Sequence, residues 1–215
     1  LMRRGLGSRP WLADELAGSR GQPLDDDAMA SCLAVRGLGV DALRASLREL
    51  RSWVLCHVLT RDLNGLADLA EVTRTMTILA EVAIRNACHV LRDELVARYG
   101  APLSQTGWEQ ELLVVGMGKL GGRELNVSSN IDLIFVYPED GDTGGNKVIS
   151  NFEFFDRPGK QLIQALAAVT EHGHVFRVDL RLLPNGESGT RVSPLDHREN
   201  YSIRQGRAWG RFASR

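Results

Sequence analysis

From Asp41 onward, apolar residues recur at three- and four-residue steps: Leu43, Leu47, Leu50, Val54, Leu55 and Val58. That spacing predicts an amphipathic helix, with Asp41 placed to cap it. Asn64-Gly65 marks a break. A longer stripe follows: Leu69, Val72, Met76, Leu79, Val82, Ala83, Ala87, Val90, Leu91 and Leu95. It predicts a second helix over about Leu66 to Tyr99, ended by Gly100 and Pro102. Ahead of both, residues 1–40 are mixed, with a short helix expected near Trp11–Leu16 and a polar loop from Gly21 to Asp27.

After Trp108 the period changes. Glu111 to Val115 and Ile131 to Tyr137 read as short apolar strands. Between Pro138 and Lys147 most residues are turn formers. Asn151 to Thr170 reads as a helix, although Pro158 sits inside it and should kink or restart it. Val175 to Leu183 reads as a third strand, closed by Pro184-Asn185-Gly186. From about Pro194 a further helix is expected, holding Tyr201 and Trp209. The order predicts an α+β chain: a helical N-terminal region over 1–107, then a small mixed sheet with an inserted helix over 108–215.

Composition narrows the function classes. The chain has 215 residues, 43% of them hydrophobic and 25% charged. These values are ordinary for a soluble globular protein of one domain or two small ones. A net charge of −1 argues against a general nucleic-acid or membrane-surface role. No apolar run approaches the length of a membrane span, and no signal peptide is visible. Cys32, Cys56 and Cys88 lack CxxC spacing and read as buried thiols, which places the protein in a reducing, cytoplasmic compartment. The chain opens on Leu1 and stops at Arg215 with no terminal signal, so it reads as the piece of a longer protein, truncated at its C-terminus.

The chemistry concentrates in residues 114–132. Gly116-Met-Gly118-Lys-Leu-Gly121 matches the GxGxxG spacing of dinucleotide-binding turns, and Glu139 lies 18 positions after Gly121. That fingerprint needs a helix after the glycines, aimed at a pyrophosphate. Only nine residues, Gly122 to Asn130, separate the last glycine from the next strand. A parallel crossover needs about a dozen or more, so the spacing disfavours the dinucleotide reading.

A strand, a glycine-rich turn, one or two helical turns and then an [Asp/Asn]-x-Asp strand is instead the layout of nucleotidyltransferases. Gly121 and Gly122 let backbone approach phosphate oxygens closely. Ser128 and Ser129 add hydroxyl donors, and Lys119 adds positive charge. Side chains alternate along a strand, so positions 130 and 132 share a side while Ile131 faces the core. Two acids there hold two divalent metals about 3.5–4 Å apart. On the third strand Phe176, Val178, Leu180 and Leu182 share one face, and Arg177, Asp179, Arg181 and Leu183 the other. Beside Ile131–Tyr137, that strand would bring Asp179 to Asp132 and Arg181 toward a phosphate. The plainer alternative is a solvated face of Arg–Asp pairs.

Residues 116–135, Gly-Met-Gly-Lys-Leu-Gly-Gly-Arg-Glu-Leu-Asn-Val-Ser-Ser-Asn-Ile-Asp-Leu-Ile-Phe, resemble the glutamine synthetase adenylyltransferase/adenylyl-removing enzyme family. Phe154-Phe-Asp-Arg157, Phe176-Arg-Val-Asp-Leu-Arg-Leu182 and Pro184-Asn-Gly-Glu-Ser-Gly189 agree, as do Arg61-Asp62-Leu63 and Gly65-Leu-Ala-Asp-Leu69. The resemblance covers at least residues 41–213. It implies a DNA polymerase beta-like nucleotidyltransferase fold and two such domains in one long chain. One removes AMP from a tyrosine of glutamine synthetase by phosphorolysis, releasing ADP. The other attaches AMP from ATP. Both would use Mg2+, and a PII signal protein with glutamine would set the balance. Tyr201 followed by Gln205-Gly-Arg-Ala-Trp209-Gly-Arg-Phe212 resembles the N-terminal, removing half.

By this resemblance Asp132 and Asp179 are metal ligands, with position 130 the third. Gly118, Lys119, Gly121, Gly122, Ser128 and Ser129 surround the phosphates, and Arg181 steadies the transferring group. Four positions depart from the family pattern. Asn130 stands where Asp is usual; it keeps one oxygen but loses the charge. Leu183 stands where a second Arg is usual, and Gly210 where a Glu follows the Trp. Pro158 lies within a helix. Asn130 and Leu183 fall on the catalytic face, which leaves two readings: a working adenylyl-removing domain with a weakened two-metal site, or a catalytically silent module that binds glutamine synthetase, a PII protein or nucleotide.

Overall fold

The computed structural model describes residues 21–34, 39–179 and 191–195. It begins with three helices: α1 (Asp26–Ala34), α2 (Val40–Leu63) and α3 (Leu69–Tyr99). The predicted stripes are their buried faces. Leu47, Leu50 and Val54 of α2 and Met76, Leu79, Ala83, Ala87 and Leu91 of α3 are fully buried. Each fully buried Leu or Met contributes roughly 1.5–3 kcal/mol relative to exposure.

The ends of these helices differ in detail from the sequence reading. The α2 N-cap is Gly39, not Asp41, and no side chain caps it. Asp41 lies in the first turn, exposed and 3.8 Å from Arg44. For α3 the cap is Asp68, whose Oδ1 accepts the Glu71 N–H at 2.8 Å. That bond starts the helix at Leu69 rather than Leu66.

The sheet follows. Strand β1 (Leu113–Met117) runs into a one-turn helix, α4 (Gly118–Gly121), and then β2 (Ile131–Tyr137). Helix α5 (Asn151–Ala167) precedes β3 (Val178–Asp179) and β4 (Val192–Pro194). β1 pairs antiparallel with β2, while β3 and β4 both pair parallel with β2. Both lie along the edge of β2 opposite β1, β3 at its start and β4 at its end. The sheet is therefore mixed, with α5 inserted as expected.

Three expectations change. The third strand is shorter at its start, because the Val175 and Phe176 N–H groups both donate to the Leu166 carbonyl, at 2.9 and 3.0 Å. That ties residues 175–176 to the end of α5 instead of to β2. α5 ends at Ala167 and passes through Pro158 unbroken, with the proline buried. At 192–194 the chain forms a strand where the helical reading of the tail was to begin. The helix expected near Trp11 and the segment around Tyr201 and Trp209 lie outside the described residues.

One apolar core runs from Met29 and Leu33 of α1 through α2 and α3 to Ile131, Leu133, Phe135 and Tyr137 of β2 and Phe154, Phe155 and Leu162 of α5. Tyr137 stacks on Phe155 with ring centroids 5.1 Å apart. The helical layer thus backs the sheet directly. Among the described residues no helix is long and apolar enough to cross a membrane. Cys32, Cys56 and Cys88 are half-buried rather than fully buried. Burial pushes the Cys88 thiol up to about 12, so it stays protonated.

Candidate active site on the outer face of the sheet

Strand alternation divides β2 cleanly. Ile131, Leu133 and Phe135 are fully buried on the core face. Asp132 is half-buried and belongs to the opposite face, with Ile134 and Val136, which form a small second apolar cluster with Met117. In register, Asp132 stands between Met117 of β1 and Asp179 of β3. Residues opposed across neighbouring strands share a face, so the two carboxylates emerge side by side. The Ile131 N–H donates to the Arg177 carbonyl at 2.9 Å and fixes this register from below.

The glycine turn starts where β1 ends, one residue after Met117. Gly118 has φ +56°, and a Cβ built there would lie 3.2 Å from Asp132 Oδ2. Glycine is therefore needed twice over at this position, for the backbone angle and for room beside the carboxylate. Gly121 answers a different demand. A Cβ there would meet the Gly116 carbonyl oxygen at 2.6 Å, so the turn packs hard against β1. Leu120 anchors the turn in the core. The Gly122 N–H donates to Gly118 O at 2.9 Å and the Glu124 N–H to Lys119 O at 2.8 Å. Lys119, Gly121 and Gly122 remain exposed.

The return to β2 is held by its own polar atoms. The Leu125 N–H donates to Thr77 Oγ1 of α3 at 3.4 Å, with the Leu125 side chain fully buried. Ser129 Oγ accepts the Asn126 N–H at 3.3 Å, while the Ser129 N–H donates to Asn126 O at 3.1 Å. The oxygen of Ser129 thus closes the loop, and its hydroxyl proton is left to donate elsewhere. Ser128 and Asn130 are exposed. Of the residues expected from sequence, Gly118, Asp132 and Asp179 come together; Lys119, Gly121, Gly122, Ser128, Ser129 and Asn130 lie on the two arms of the turn that joins β1 to β2. Arg181 and Leu183 lie outside the described residues. Among the described residues no group of three or more His, Cys, Asp and Glu side chains that could hold a metal ion is found.

A cavity of about 510 Å³ opens behind the turn, lined by Leu112, Val114, Phe154 and Phe155 with Gly116 and Leu120. Neither acid lines it. The arginines at its edge are already matched: Arg85 to Asp26 at 2.6 Å, Arg123 to Glu81 at 3.1 Å, and Arg92 to Glu109. A phosphate has less to gain there than beside the exposed turn.

The model of the family described as glutamate-ammonia ligase adenylyltransferase matches residues 11–214. The chain belongs to that family. Three bifunctional glutamine synthetase adenylyltransferase/adenylyl-removing enzymes illustrate the likeness. That of Aromatoleum aromaticum is 76% identical over 212 residues, covering 99% of this chain and 23% of the relative. That of Burkholderia mallei is 49% identical, covering 99% of this chain and 24% of the relative. That of Nitrosomonas europaea is 46% identical, with the same coverage of 99% and 24%. The chain thus spans about a quarter of the length of the curated relatives it matches. The adenylyltransferase family is the one that the blocks at 116–135, 154–157 and 176–182 resemble.

Sequence reasoning overlooked two arginines of the helical layer, Arg48 and Arg51. Their only signal is position: they border the apolar stripe Leu47, Leu50 and Val54, where a charged head must find partners or reach water.

Proposed function

We propose that this chain is the adenylyl-removing part of a bifunctional glutamine synthetase adenylyltransferase/adenylyl-removing enzyme, built on a DNA polymerase beta-like nucleotidyltransferase fold. The reaction is phosphorolysis. An oxygen of inorganic phosphate attacks the phosphorus of AMP carried on a tyrosine of glutamine synthetase. The bond from phosphorus to the tyrosyl oxygen breaks, that oxygen takes up a proton, and ADP leaves. The observation that carries this reading is the facing of Asp132 and Asp179 next to the glycine turn, in a family whose relatives are named for adding and removing the adenylyl group.

The donor set fits Mg2+, which binds through one or two carboxylates and takes its other ligands from water and phosphate oxygens. Bound there, the ion supplies neutralising charge to phosphoryl oxygens. Asp132 and Asp179 would hold it. Asn130 offers an amide oxygen without charge, so a second ion has weaker support than three carboxylates give. Gly118, Gly121 and Gly122 leave backbone open to phosphate, Lys119 adds positive charge, and Ser128 and Ser129 donate hydroxyl protons. Arg181 is assigned to the transferring phosphoryl group. Regulation by a PII protein with glutamine, and use of ATP by a companion adenylylating domain, belong to the same proposal, as does the division into a helical region over 1–107 and a catalytic region over 108–215.

Asn130 favours a second reading, a silent module that binds glutamine synthetase or nucleotide without turnover. The experiment is phosphate-dependent release of ADP from adenylylated glutamine synthetase with Mg2+. The unaltered protein is compared with Asn130→Asp and Asp179→Asn. The adenylyl-removing reading expects slow release from the unaltered protein, faster release with Asn130→Asp and none with Asp179→Asn. No release from either of the first two supports the silent module instead.

A further inference from the structure

Helix α2 presents Arg48 and Arg51 three residues apart, the spacing that puts side chains on one face of a helix. Arg48 is 2% exposed. Its Nε donates to Gly173 O at 3.0 Å, Nη1 to Ala165 O at 3.3 Å, and Nη2 to Ala168 O. It thereby satisfies carbonyls at the end of α5 and in the turn that leads toward β3. Arg51 reaches the segments that lead into the site. Its guanidinium carbon lies 5.0 Å from the centroid of the Phe176 ring, and Nη2 donates to Val127 O at 3.5 Å.

The two partners of Arg51 are informative. Val127 opens the segment Val-Ser-Ser-Asn that leads into Asp132. Phe176, buried in the core, leads into Asp179. Within the described residues β3 pairs with β2 through Val178 and Asp179. One guanidinium therefore contacts both chain segments that deliver the acids, just before each strand begins. Its planar fork suits the task, since one face lies on a ring while an edge donates to a carbonyl. Burial lowers the Arg51 pKa from its ordinary value, and Nη1 is buried with no hydrogen-bond partner among the described residues. An ordinary packing position would be filled at less cost by Leu or Met.

We infer that Arg51 is a positioning residue of the site: it clips the chain entering β2 to the chain entering β3 and so sets the separation of Asp132 and Asp179. It acts through Val127 and Phe176. The inference rests on the proposed reading for the meaning of the acid pair, but the clip itself is a mechanical claim that can be read without turnover.

The test introduces Arg51→Met and Arg51→Lys into the full-length protein. Amide hydrogen exchange is followed over residues 127–132, 175–179 and the centre of α3, at a temperature where circular dichroism shows all forms folded. It is repeated across a Mg2+ titration. Arg51→Met should speed exchange in both 127–132 and 175–179 by about tenfold or more, leave α3 unchanged, and raise the Mg2+ concentration that half-protects 127–132 by about tenfold. Arg51→Lys should recover less than half of either effect, because it restores charge without the fork. Exchange that is unchanged, or faster everywhere including α3, overturns the clip. So does loosening of both segments with Mg2+ protection as tight as before. If the unaltered protein shows no Mg2+ protection at all, the metal reading under Proposed function fails, and the exchange comparison alone then upholds or overturns the clip.

Discussion

At Gly118 one residue answers to backbone and to chemistry together. Its φ of +56° and the 3.2 Å from a Cβ to Asp132 Oδ2 mean that any side chain strains the turn and presses on the carboxylate. Gly118→Ala should lower stability by about 1–3 kcal/mol and abolish ADP release even where the protein remains folded. Thermal unfolding and the release assay measure the two effects separately. Gly122 is the matching control. Its φ is −78°, and a Cβ there would meet Gly118 O at an ordinary 3.4 Å. Gly122→Ala should change stability by no more than about 0.5 kcal/mol. The sequence marked both glycines alike as phosphate-binding, because spacing counts residues but does not see that a carboxylate from the next strand lies against only one of them. The juxtaposition of Asp132 and Asp179 was legible. Asp132 follows from a strand whose neighbours are all apolar, and Asp179 from an acid on the polar side of a strand with Phe176 and Val178 opposite.

Among elements, the α2–α3 hairpin shows how the helical layer is held in place. Arg61 Nε donates to Glu71 Oε1 at 2.6 Å and Nη2 to Glu71 Oε2 at 3.1 Å, while Nη2 also donates to Leu66 O at 3.0 Å. The Arg61 side chain is 7% exposed and that of Glu71 is 18%. Glu71→Gln should cost about 2 kcal/mol, between the values of exposed and deeply buried pairs, because a shielded guanidinium loses its counter-charge. Asp68→Ala should cost about 1 kcal/mol through the lost cap. Urea unfolding checks both, and the Glu71 effect should change little between low and high salt. Helix existence was plain from the three-four stripes. Helix starts were not: Asp41, expected to cap, lies inside the first turn after Gly39, and Asp68, inside the range expected for the second helix, is the residue that caps it. The third strand was read too early for a similar reason: Val175 and Phe176 are strand-forming residues, but their N–H groups go to Leu166.

For the molecule as a whole, a single core joining helices to sheet means that loosening the helical layer loosens the site. Two histidines report on this. Burial, reinforced by nearby Arg61, depresses the pKa of His57 below its ordinary 6.5. Burial and the arginines Arg51, Arg177 and Arg48 do the same to His174. The unfolded chain then binds more protons than the folded one just below pH 6.5, so this part of the stability is present above that pH and is lost as pH falls through it. Stability should decline between pH 7 and pH 5.5, by at most about 1.4 kcal/mol per pH unit for each histidine. The double variant His57→Gln with His174→Gln should show a shallower decline over the same range in denaturant titrations. The apolar stripes of the helical layer were legible but its ties to the sheet end of the molecule were not, because Arg48 bonds carbonyls 125 and 117 residues away and Arg51 one 76 residues away, and such long-range contacts leave no local pattern.

In the proposed reading, Asp132 and Asp179 form a divalent-cation site that Asn130 leaves one charge short. Calorimetric titration of Mg2+ into the chain, alongside Asn130→Asp and Asp132→Asn, tests it most directly. The unaltered chain should bind weakly, Asn130→Asp tighter by about tenfold or more, and Asp132→Asn not at all. Equal affinity in all three would contradict it, because the cation would then be bound somewhere other than between these two strands.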